Sequence, residues 1–271
     1  MFQIFKEHKG FSKQIFLLSK SELKKTYKGA AIGPLWALVK PAFTIFVYWF
    51  AFSVGIRGSS EVAVDGVGDF GRFIFMVVGF TAWFFMSESI TLGSKSIRQN
   101  SQYVTKVAFP VSTIMTFTQL ARLYVHLFLA AIMYIIVVFN PQGGVSWYNL
   151  QFFFYCPLMF AFFTVLAWST APMAAFSRDF ENAVTAFMSG VFWISGIFYN
   201  SYDMPLPLLN KIMLFNPINF FANGYRNTFL YNKGFWENET ELYIFLGEFI
   251  LIIILGIWNY NRLRKRIPDV L

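Results

Sequence analysis

Six stretches of this chain are apolar for long enough to cross a lipid bilayer, and no other feature narrows the fold as much. They lie at 35–56, 73–92, 111–139, 152–176, 183–199 and 242–260. A helix needs about 20 mostly apolar residues to span the hydrocarbon. In that medium each backbone N–H and C=O must be bonded within the protein. The expectation is an all-α, polytopic membrane protein with six transmembrane helices. Composition agrees. Charged residues make up 13% of the chain, against about 25% in soluble domains. Phe alone occurs 36 times in 271 residues, more aromatic surface than a soluble fold of this size can hide.

The loops set an orientation. Ahead of the first span stand Lys6, Lys9, Lys13, Lys20, Lys24, Lys25 and Lys28, against Glu7 and Glu22. The connection between spans two and three has Lys95, Arg98 and Lys106, and the tail has Arg262, Arg264, Lys265 and Arg266. The loop 58–71 has Glu61, Asp65 and Asp69 with no Lys or Arg, and 140–150 is uncharged. Basic loops stay in the cytoplasm, so both termini are expected there. The net charge of +8 is then a topology signal and not a nucleic-acid surface.

Two further segments have their own character. In 1–33, Lys9, Lys13, Lys20 and Lys24 share one side of a helical wheel, and Phe11, Ile15 and Leu18 the other. Such a cytoplasmic amphipathic segment lies in the interface, lysines towards lipid headgroups. Gly29, Gly33 and Pro34 break it, and the six-span domain occupies 34–271. Within 200–241, the apolar pieces 205–215 and 218–231 are each too short to cross and are parted by Asn216-Pro217. They are expected to be re-entrant helices in the outer leaflet. The basic tail is 262–271.

Catalytic chemistry is not legible. There is no Gly-rich phosphate loop, nucleophile elbow or paired-carboxylate constellation, so no catalytic residue is assigned. One cysteine, Cys156, allows no intrachain disulfide, and His8 and His126 make no metal motif. Arg122 stands well inside the third span, where a charge is costly and faces protein or water. Glu88 and Glu248 are the possible partners of an intramembrane ion pair. Lys40 and Pro41 stand near the start of span one, one able to snorkel to phosphates and the other to kink the helix.

The string YKGAAIGPLWALVKPAF opens span one and YWFAFSVGIRG closes it. NSQYVTKVAFP stands between spans two and three, and NPINFFANGYRNTFLY precedes the last span. Together, over essentially the whole chain, these resemble the membrane subunit of type-2 ABC exporters for lipid-linked polysaccharides: teichoic acid, O-antigen and capsule permeases. YWFAFSVGIRG is most similar to the teichoic acid members. The resemblance implies a multi-pass subunit of the bacterial cytoplasmic membrane, paired with a second copy of itself and two copies of an ABC ATPase. ATP and Mg²⁺ would be bound by that ATPase, and this chain would carry no cofactor. The cargo would be an undecaprenyl-diphosphate-linked polymer, wall teichoic acid first and O-antigen or capsule as the alternative.

That implication assigns residues. Lys24, Lys25, Lys28 and Lys40 stand where a membrane-level diphosphate would lie, although ordinary topology charge explains the first three as well. Trp36, Phe43, Phe46 and Phe50 recur at helical spacing on span one, and Phe187, Phe192, Phe198 and Tyr199 stand on span five. They would offer sugars a sequence-tolerant aromatic path, or else face lipid. The family's coupling helix falls within 93–110, so Arg98, Gln99, Asn100 and Tyr103 would meet the ATPase. Arg178, Asp179 and Glu181 would add a lesser contact. A membrane enzyme acting on lipid-linked sugars is the alternative of another class, and its carboxylates and histidines would have to converge. An ion-coupled secondary transporter is a third, and no internal repeat is evident.

Overall fold

The computed structural model describes residues 2–55, 61–64, 67–107, 109–202, 204 and 206–271. Ile56, Asp65, Ala108 and Pro205, each inside a segment read from the sequence, lie outside the described residues.

The chain opens with α1 (Phe2–His8) and α2 (Ser12–Tyr27). Ile15 and Ser19 of α2 are buried, and its lysines are exposed. Gly29 and Gly33 then adopt φ of +82° and +51°, a left-handed conformation that L side chains resist. Pro34 sits in the 3₁₀ turn Gly33–Leu35, which leads into α3 (Trp36–Phe50). A π turn, Ala51–Gly55, ends this first span.

A hairpin follows, β1 (Glu61–Val64) paired antiparallel with β2 (Gly68–Gly71). Val62, Val64 and Phe70 point inward from it. Next come α4 (Arg72–Gln99), α5 (Ser101–Thr105) and α6 (Val111–Phe139). A 3₁₀ turn, Trp147–Gln151, caps α7 (Phe152–Phe176), and α8 is Arg178–Trp193. Last are α9 (Pro207–Leu214), α10 (Pro217–Arg226) with its π turn Asn227–Tyr231, α11 (Glu239–Leu263) and α12 (Ile267–Val270).

Among the described residues five helices are long and apolar enough to cross a membrane. The segment expected as span five is the exception. Helix α8 has 16 residues, about 24 Å at 1.5 Å each, short of a hydrocarbon layer of about 30 Å. Past Trp193 the chain turns and is held by the protein.

Helix α4 is the centre, packed on α3, α6, α7, α8 and α10. Its apolar window is 72% buried, whereas that of the first span is 0% buried. Ile45, Tyr48 and Trp49 of α3 pack on the core, while its exposed Phe43, Phe46 and Phe50 face outward, to lipid or another protein. Phe dominates one core cluster, around Phe75, Phe80, Phe162, Phe163, Phe221 and Phe245. A smaller cluster at the basic end joins Ile4, Ile97, Ile114, Ala171, Tyr260 and Ile267.

That basic end is tied by Glu7, which accepts from the Ser112 backbone N (3.3 Å), Ser112 Oγ (2.7 Å), the Tyr260 hydroxyl and Arg264 (2.9 Å). One carboxylate thus joins α1 to the start of α6 and the end of α11. Burial alone would raise the Glu7 carboxyl, but the bonds from Ser112, Tyr260 and Gln3 outweigh it and hold it below its ordinary 4.5. A depressed carboxyl stabilises the fold above its unfolded value, and that stability is lost as pH falls through the folded value. Glu7→Gln is expected to cost about 1.5–3 kcal/mol at pH 7. Thermal melts should show the gap to wild type closing once the pH falls below 4.5. A gap independent of pH would contradict the assignment.

Candidate functional site

Pro41, the intramembrane arginine and the break after α2 meet at one place. A cavity of about 490 Å³ lies between the end of α2, the foot of α3, α4 and α6. Thr26, Tyr27, Trp36, Lys40, Glu88 and Arg122 are among its lining. Arg122 is 4% exposed, and its guanidinium reaches Glu88 at 3.6 Å. It also donates to Thr26 Oγ1 at 2.8 Å, which fastens the end of α2 to α6. Tyr27 sits beside the pair. Burial first, then the Glu88 charge, push its hydroxyl up, with Arg122 opposing. Pro41, which has no N–H to bond back along α3, lines the same cavity.

Two cations against one carboxylate leave the cavity net positive when Glu88 is ionised. Glu88 is 48% exposed and keeps water, while Arg122 does not. Arg122 Nε is buried with no hydrogen-bond partner, and the paired N–H donors of a guanidinium suit phosphate. One turn along α6, His126 is buried and bonds the Tyr225 hydroxyl at 2.6 Å, joining this wall to α10.

The other expected residues divide. Of the four lysines, only Lys40 lines the cavity. Lys24 and Lys25 on α2 and Lys28 just past its end are exposed and do not line it, and Lys25 faces Glu22 at 3.6 Å. Glu248 does not pair with Arg122. It stands on α11, and its Oε2 is buried with no hydrogen-bond partner. Phe43, Phe46, Phe50 and Phe187 are exposed, Trp36 is 38% exposed and Tyr199 is half-buried. Phe192 and Phe198, expected on an aromatic path, are core residues. They pack with Tyr48 and with each other, their ring centroids 5.6 Å apart, and have no free face for a polymer.

The 93–110 and 177–182 loops are clamped together. Glu181 lies 3.7 Å from both Lys95 and Arg98, and Arg98 also caps α7 through the Ala174 and Ala175 carbonyls. Arg98 is thereby held in place, with about a quarter of its side chain (26%) still exposed. Asn100 is 1% exposed and donates to the Ser96 carbonyl, so it is withdrawn from any partner. Gln99, Arg178 and Asp179 remain exposed or half-exposed, and Tyr103 is half-buried on Phe109 and Phe117.

The residue that sequence reasoning missed is Arg226. It is fully buried and donates to the carbonyls of Gly196 (2.7 Å) and Ile197, with its guanidinium 3.7 Å from the Phe75 ring centroid. Asn216, Asn219 and Asn223 stand on the same side of α10. They bond Ile194, Ser195, Met213 and Ser201. The 216, 219, 223, 226 spacing is helical, and this polar stripe in an apolar piece was the available signal. The 218–231 piece, expected as a re-entrant helix in the outer leaflet, forms α10 and its π turn and is wholly buried in protein. A Cβ on Gly79 would lie 2.5 Å from both Arg226 and the Ile197 carbonyl. Gly79→Ala is therefore expected to lower stability by about 1–3 kcal/mol, read as a lower melting temperature; an unchanged melt would contradict this packing.

The model of the family described as ABC-2 type transporter matches residues 13–230. The chain belongs to the ABC-2 type transporter family. The matched region runs from α2 to the π turn after α10, so every wall of the cavity and the Arg226 latch fall inside it. Among relatives of this ABC-2 transporter are two O-antigen export system permease proteins RfbA from Klebsiella pneumoniae. Each is 24% identical over 259 residues, covering 95% of this chain and 94% of the relative. The RfbA permease of Myxococcus xanthus is 23% identical over 230 residues, covering 84% and 85%.

Proposed function

We propose that this ABC-2 transporter is the membrane-spanning subunit of an ATP-driven exporter of lipid-linked polysaccharide in the bacterial cytoplasmic membrane. The observation that carries the reading is the cavity at the foot of α3. Two cations, Lys40 and Arg122, line it within the membrane-spanning bundle. A lipid-linked diphosphate brings oxyanions to that depth while its glycan stays in water. Lysines on α2 would gather the anionic head at the surface and the cavity would receive it. The names of the relatives favour an O-antigen-like glycan over teichoic acid as the polymer.

A second copy and two ATPase subunits complete the assembly in this reading. The unburied α3 supports a second copy. The clamped pair of loops supports a docking face on the cytoplasmic side, with Gln99, Tyr103, Arg178 and Asp179 as its exposed or half-exposed members. Both termini would then be cytoplasmic, α8 and the turn after it making the sixth crossing.

In cells lacking the chromosomal copy, this chain with its partner ATPase should restore surface polysaccharide. A Tyr103→Ala, Asp179→Lys double variant should insert normally yet lose most ATPase co-purification and export. Full retention of both by that variant would remove the docking assignment.

A further inference from the structure

Far from the basic cavity, a second cavity of about 260 Å³ opens at the other end of the bundle. Val64 of β1, the 200–202 turn and the 231–238 loop wall it. The walls are fixed by the protein itself. Gln151 accepts from the Phe235 N–H at 2.7 Å and donates to the Lys233 carbonyl at 2.8 Å. Asn232 holds a left-handed φ of +51°. Asn200 donates to the Ala63 carbonyl and accepts from the Tyr202 N–H, joining hairpin to turn. Below, Glu241 accepts from the Tyr202 hydroxyl at 3.0 Å and Asn238 Nδ2 at 2.9 Å.

The polar groups left over are of mixed kind. Among the described residues neither the Lys233 ammonium nor the Tyr231 hydroxyl, both donors on the wall, has a hydrogen-bond partner. Asn227 is 7% exposed, lines the cavity, and its Oδ1 accepts no hydrogen bond. Glu237 adds a carboxylate whose Oε1 is used by the Gly234 N–H. Tyr202 and Tyr231 add aromatic surface. Vicinal hydroxyls donate and accept at once, and a pyranose has apolar C–H faces that sit on aromatic rings. A metal ion is disfavoured by the lysine, and an anion by the carboxylates. The volume is below the about 300 Å³ of drug-sized pockets and suits one monosaccharide.

We propose that this cavity is a binding site for one neutral hexose unit, the unit of a glycan leaving the transporter. The glycan part of this inference rests on the export reading above; the hexose site itself is tested without transport. Purified wild-type protein in nanodiscs is titrated with glucose, galactose and mannose, and separately with glycerol 3-phosphate, under saturation-transfer NMR. At least one neutral sugar should give transfer signals at millimolar concentration. Tyr231→Phe with Lys233→Met removes two donors while keeping ring and stem, so that sugar should bind about tenfold or more weakly at an unchanged melting temperature. No signal from any neutral sugar, signals unaffected by the double variant, or binding of glycerol 3-phosphate alone would each overturn the site. Those failures leave the export reading standing if ATP-dependent export persists. Loss of export with sugar binding intact would strike that reading instead.

Discussion

Replacing Arg226 with methionine is expected to destabilise the protein by about 3–5 kcal/mol, more than either Glu7→Gln or Gly79→Ala. The Gly196 and Ile197 carbonyls lie against the guanidinium in a buried site. Without it two acceptors lose a donor, each worth about 1–3 kcal/mol. Methionine keeps the apolar contact with Phe75, which isolates the lost polar bonds from lost volume. Relief from desolvating a charge offsets part of the cost, but the geometry that replaces water is already built. Lysine should be milder, because one ammonium can still reach a carbonyl. Thermal melts in detergent would show the order wild type, Lys, Met. A methionine variant that melts with wild type would mean that the latch carries no stability.

Transport should suffer most from Lys40→Gln combined with Arg122→Gln. A charge-assisted bond to an oxyanion is worth about 1.5–3 kcal/mol, so losing two should lower transport about 100-fold or more. Stability should change far less. Glu88, the partner of Arg122, is 48% exposed and hydrates when left alone. Neutralising Glu88 as well should therefore restore little. Lys24, Lys25 and Lys28, exposed outside the cavity, should give a smaller transport loss when all become Gln. A double variant that transports at the wild-type rate, or a triple variant worse than the double, would move the anion site out of the cavity.

Much of the fold was legible because its strongest signals are local. Five long apolar runs became five long helices, and the Gly29–Pro34 break fell where two left-handed glycines turn the chain. The 183–199 run forms a shorter helix than its length suggests, because apolar composition does not reveal that α8 stops at Trp193 and that Gly196, at φ +64°, turns the chain for a latch thirty residues on. The hairpin hid in an acidic loop, although Val62 and Val64 alternate in the manner of a strand. At the site, an arginine inside a span announced the Arg122–Glu88 pair, because such a charge needs a partner. Arg226 has backbone carbonyls as partners, which leave no mark in sequence, so the polar stripe of α10 was its one signal. The burial of Asn100 and the capping bonds of Arg98 were hidden for a related reason. Polar residues in a basic loop look solvent-facing until a helix end nearby offers carbonyls to cap.

Whether ATP drives a lipid-linked glycan through this ABC-2 transporter can be read in proteoliposomes. They would hold the chain with its partner ATPase and an undecaprenyl-diphosphate-linked O-antigen-type glycan. A membrane-impermeant lectin would report the glycan appearing on the face opposite the ATPase. That appearance should require ATP, stop with a hydrolysis-dead ATPase, and fall about 100-fold in the Lys40→Gln, Arg122→Gln variant. Appearance at the same rate without ATP, or none with both subunits active and substrate present, would refute ATP-driven export by this chain.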